Sequence, residues 1–144
     1  MCPEILAVLP LASTTSFGAN NHHPRAEIRR CDGILVQVAV WGDHPDQPPR
    51  LIETEQAVIE QVVAVGRVLV LETSGETSNR VFGITLKNGL PRLAFSFPTK
   101  GKVVVTGTRD GITVTAVDSK SVRRRLVLKA AGELLPDGVN HVTR

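Results

Sequence analysis

Tyrosine is absent from this chain, and its aromatics are only Phe17, Trp41, Phe82, Phe95 and Phe97. A core built on stacked rings is therefore excluded, and aliphatic side chains must carry the burial. Cysteine is almost as scarce. Cys2 and Cys31 cannot form the multi-bridge framework of a small secreted scaffold, and they read as two free thiols in a reducing compartment. Long apolar runs are missing too. Ile5 to Ala12 is too short to span a bilayer and lacks the basic residues that open a secretory signal, so the expectation is a cytoplasmic protein without membrane contact.

Valine is abundant. Branched side chains pack well on a pleated surface, so the core leans towards β-structure. At 144 residues, 42% hydrophobic and 22% charged, the chain suits one domain that needs no staple. Its formal net charge of +3 hides an asymmetry. The first half, to Glu72, holds five Lys/Arg and nine Asp/Glu, whereas the second holds twelve and five. Such an imbalance marks either an anionic partner or two halves that neutralise each other, and the modest total favours the second.

Residues 1–33 read as a largely irregular N-terminal segment, 34–129 as the core and 130–144 as a tail. Ile34 to Trp41 is the first strand, its apolar run broken only by Gln37, as in a strand covered on both faces. Over Glu53 to Val65 the spacing predicts the principal helix. Val58, Ile59, Val62 and Val63 make the stripe, Thr54 the N-cap and Gly66 the C-cap. Beyond it the period becomes alternating, with strands at 67–73, 80–87, 102–109 and 112–117, and Leu93, Phe95 and Phe97 lining another. Asn88-Gly89 predicts a type I′ hairpin, and turn signals at Gly75, Gly89, Gly101 and Gly111 suggest an up-and-down meander. Residues 122–129 fit a strand better than a helix, whose first turn would set three arginines against the helix dipole. The expected fold is thus α+β: a mainly antiparallel, strongly curved sheet or partial barrel of six or seven strands with one principal helix at 53–65.

Motifs that carry chemistry are absent as well. No serine lies in a G-x-S-x-G elbow, and the loop Glu72 to Asn79 lacks the second glycine and the lysine of a phosphate loop. His22, His23, Cys31, Asp43, His44 and Asp46 have the residue types of metal ligands but no zinc spacing, so no metal and no cofactor is expected. What remains is basic. Lys100, Lys102, Arg109, Arg123, Arg125 and Lys129 fall in the last third, where a meander would gather several on one face as polyanion contacts. No aromatic follows Phe97 to stack on bases, so a solvated face is favoured over nucleic acid.

Three functional expectations follow. The leading one is a non-catalytic binding module that holds a small apolar ligand in a sheet–helix cavity, or pairs through its sheet with a protein partner or a second copy. The second is nucleic-acid or polyanion binding by the basic third. The third is an enzyme whose site is assembled from His44, Asp43 and Glu72.

Overall fold

The computed structural model describes residues 4–12, 24–31, 36–44, 46–54 and 58–141, the last six by their backbone. Four strands, β1 (Glu4–Pro10), β2 (Arg25–Arg30), β3 (Val36–Trp41) and β4 (Arg50–Glu53), pair in chain order as a small sheet. Seven more pair in chain order as a large sheet: β5 (Val58–Val65), β6 (Val68–Ser74), β7 (Asn79–Lys87), β8 (Leu90–Thr108), β9 (Gly111–Asp118), β10 (Val122–Lys129) and β11 (Leu134–His141). Every pairing is antiparallel.

No helix occurs among the described residues, so the fold is all-β and the α+β expectation is wrong. The reason lies in one extra residue. Opposite β6 the register of β5 slips between Ile59 and Gln61, leaving Glu60 as a bulge. Ile59 and Val62, three apart, therefore face the same way, and a bulged strand presents the i, i+3 spacing of a helix. Val63 and Val65 fill the opposite face, so β5 is apolar on both sides. Gly66, expected as a helix cap, instead opens a two-residue hairpin loop. Its φ of +56° at the first central position is the pattern of a type II′ turn. Thr54 caps no helix among the described residues: its amide and hydroxyl both donate to the carbonyl of Val36, extending the β3–β4 pairing.

Other departures are smaller. The 1–33 segment contributes β1 and β2, the tail contributes β11, and the described residues form eleven strands rather than six or seven. The turn expected at Gly101 is a bend inside the long β8, where pairing with β9 breaks off after Lys100 and resumes at Val104. A second bulge, at Ala94, sends Phe95 and Phe97 inward but leaves Leu93 on the other face. Asn88 and Gly89 do adopt the positive φ values of a type I′ hairpin, 55° and 78°.

The two sheets enclose two cores. Ala26, Ile28, Val36, Val38 and Val40 of the small sheet pack on Leu69, Leu71, Phe82, Ile84 and Leu86 of the large one. The large sheet also curls over itself. Val68 and Val70, on the reverse face of β6, meet Val103, Ile112, Val114, Ala116 and Leu128 from β8 to β10. Gln61 closes this second core on the β5 side by donating to the carbonyl of Val103 at 3.0 Å. β6 is thus a shared inner wall, buried on both faces, with three layers stacked around it.

Candidate functional site

Hairpin ends converge at one pole of the molecule, and their backbones are tied together. Ala12 donates to the carbonyl of Gly66, Arg67 to that of Ala130, Leu86 to that of Arg67, Asp43 to that of Gly89 and Ala130 to that of Asp110, all at 2.7–3.0 Å. Arg67, the second residue of the β5–β6 loop, sits at the centre with its side chain only 9% exposed. Its guanidinium grips the Asp43 carboxylate with both terminal nitrogens, at 3.1 and 2.8 Å. It also donates to the carbonyls of Ala12 at 2.7 Å and Leu86 at 3.2 Å. A bidentate pair of this kind fixes orientation as well as charge. It locks the small sheet onto the turns of the large one.

Beside this lock lies an open cleft of about 910 Å³, within the range of small-molecule sites. Leu93, Ala94 and Leu134 supply apolar lining, while Lys87, Arg92 and Glu133 supply charge. Neither Lys87 nor Arg92 holds an ion pair among the described residues. Thr85, directly across from Arg92 in the β7–β8 register, is buried, and its hydroxyl has no hydrogen-bond partner among the described residues. Gly132 packs close beside that hydroxyl: a Cβ on it would stand 3.3 Å from Thr85 Oγ1.

The residues proposed for an assembled catalytic site are not brought together. Asp43 is held by Arg67, and exposed His44 lies against Gly89 at the same pole. Glu72 lies five residues beyond Arg67, about 16 Å along β6. It accepts from the side-chain amides of Gln61 at 2.8 Å and Asn79 at 2.9 Å. Of the residues with metal-ligand character, His22 and His23 lie outside the described residues, and Asp46 is exposed in a loop. Cys31 is disulfide-bonded, which overturns the reading of free thiols. No group of three His, Cys, Asp or Glu among the described residues could hold a metal ion.

The basic residues fare differently. Lys100, Lys102, Arg109, Arg123, Arg125 and Lys129 are all exposed. Residues 122–129 form a strand, as favoured above, and Arg123 stands in one cross-strand row with Val117 and Lys100. Lys129 and Arg109 belong to the opposite end, near the β8–β9 loop. Arg124 points to the other face, where its Nε donates to Asp118 Oδ2 at 2.9 Å and its guanidinium lies 5.4 Å from the Phe97 ring centre. Burial alone would push the Asp118 carboxyl up. The amides of Val122 and Lys120, with Arg124, outweigh that and hold it below its ordinary value.

A third feature, on the outer face of the small sheet, spends its charges internally. Arg25 stacks 3.9 Å over the Trp41 ring centre and, with Arg29, clamps Glu27. Hydrogen bonding from Arg29 is the main cause that holds the Glu27 carboxyl below its ordinary value.

Sequence reasoning missed Arg67, Thr85 and Arg92. A signal for the first was present: Gly66-Arg67 between the apolar runs 62–65 and 68–71 is a Gly-X hairpin. The fold and cleft define a class, an all-β antiparallel protein with a polar-rimmed pocket at its hairpin pole. Comparison with protein-family models, curated proteins and solved structures gives no match. No helix among the described residues is long and apolar enough to cross a membrane.

Proposed function

We propose that this protein is a binding module whose hairpin-pole cleft holds a small amphiphile, an apolar body carrying one anionic group. The observation that carries this reading is the buried, unpartnered hydroxyl of Thr85 at the cleft, with Arg92 across from it. An unsatisfied buried hydroxyl costs about 1–3 kcal/mol, which a ligand acceptor would recover. Arg92 and Lys87 outnumber Glu133 at the rim, so the polar end of the ligand is negative. The apolar walls take the rest of it. Arg67 is committed to Asp43 and two carbonyls, so its part is to hold the pole rigid rather than to touch the ligand. The disulfide at Cys31 supports an oxidising compartment over the cytoplasmic address expected from the sequence.

Titration with 11-(dansylamino)undecanoate, followed by dansyl fluorescence, tests the proposal. Wild-type protein gives a saturable enhancement, and Thr85→Val and Arg92→Ser each weaken it while leaving the melting temperature near or above that of the wild type. A wild type that shows no saturable signal sinks the reading. So does undiminished binding by both variants.

A further inference from the structure

Two sets of basic residues differ in how their charge is met. Arg25, Arg29, Arg67 and Arg124 are consumed by Glu27, Asp43 and Asp118. Lys100, Lys102 and Arg123 have no ion pair or side-chain hydrogen bond among the described residues, yet they converge on one patch of the outer face of β8–β10. Lys100 and Arg123 flank Val117 in a single row, about 10 Å apart at two strand spacings. Lys102 and Arg123 share a shallow hollow of about 300 Å³ with Val104, Thr115 and Val117. The nearest acid in sequence, Asp118, is turned to the opposite face and held by Arg124. Unneutralised cations that close repel one another, and an anionic partner relieves this.

We propose that this patch binds a segment of a sulfated polysaccharide. Three observations select that occupant. The rows of the face carry lysine, arginine, valine and threonine but no aromatic, so it offers no platform on which bases stack. Thr106, Thr113 and Thr115 lie on the same face and present hydroxyls to sugar and sulfate oxygens. Lys129, six residues along β10 from Arg123, continues the cationic track about 20 Å further, which suits a linear polymer rather than a single small anion. The disulfide at Cys31 fits a compartment in which such polymers occur.

Fluorescence anisotropy with a fluorescein-labelled heparin octasaccharide provides the test, at low and at physiological salt. The wild type binds and weakens as salt rises, because bound counterions are released. The triple variant Lys100→Ser/Lys102→Ser/Arg123→Ser loses at least about tenfold in affinity and has a shallower salt slope. Its melting temperature stays at the wild-type value. Lys87→Ser/Arg92→Ser, in the cleft, binds heparin as the wild type does, which separates this patch from the amphiphile site. Absence of wild-type binding, or equal binding by the triple variant, overturns the proposal. Displacement of heparin by mixed-sequence duplex DNA at lower concentration than by unlabelled heparin also overturns it, by assigning the face to nucleic acid.

Discussion

Replacing Arg67 by Met removes one half of an ion pair whose side chains are 9% and 7% exposed, and leaves the Asp43 carboxylate in place. It also strips a charged donor from the carbonyls of Ala12 and Leu86. Breaking a buried pair from one side costs about 3–5 kcal/mol, because the surviving charge loses its compensation. For a domain near this size each kcal/mol lowers the melting temperature by about 2–4 °C, so Arg67→Met should melt roughly 6–20 °C below the wild type. The decisive comparison adds Asp43→Asn. In the wild-type background that change destabilises, since it leaves the guanidinium facing a neutral amide. In the Arg67→Met background the same change costs less, since the ion pair is already gone. A cost that shrinks when the partner is absent is the signature of direct coupling, and a double-mutant cycle read by urea denaturation and thermal melting measures it. A loss below about 1 kcal/mol for Arg67→Met, or additive losses in the double variant, would refute the view that this pair locks the pole.

Gly83→Ala should cost about 1–3 kcal/mol in urea denaturation, because its Cβ would overlap the Phe95 ring lying across β7. Adding Phe95→Leu should return part of that loss, and no return would mean that the overlap is not the cause. Acid should weaken the fold in a defined window. Glu27 and Asp118 titrate below their ordinary values of 4.5 and 3.8, so their contribution is whole above those values and disappears as pH falls through the lowered folded ones. Melting temperature should therefore hold level from neutrality to about pH 5 and drop at lower pH, with a smaller drop in Asp118→Asn. Iodoacetamide should leave Cys31 unlabelled until a reductant is added, and full labelling beforehand would show the thiol free.

Turns and alternation were legible in the sequence because both are local. Asn88-Gly89 carries its own backbone preference, and Phe82, Ile84 and Leu86 keep strict period two because β7 has no bulge inside that run. Arg123, Arg124 and Arg125 could be sorted by face for the same reason. Bulges are not local in this sense. Glu60 and Ala94 are extra residues only relative to a partner strand, and each breaks the period where the reading depended on it. The small sheet was hidden by a different effect. In β2, Arg25, Glu27 and Arg29 alternate with Ala26 and Ile28, and the charges mask a strand whose polar face satisfies itself. The cleft was illegible because three separate hairpins build it, and no spacing along the chain records which turns meet at one pole.

The double-faced burial of β6 has a consequence for how the molecule comes apart. Leu69 and Leu71 belong to one apolar cluster and Val68 and Val70 to the other, so neither cluster can lose its partner surface without exposing the same backbone segment. The two clusters should therefore melt as one cooperative unit. Hydrogen exchange would show amides of the small sheet and of β9 sharing the slowest opening with β6, while the margins at β1 and β11 fray independently. A substitution in either cluster would then be felt across all three layers.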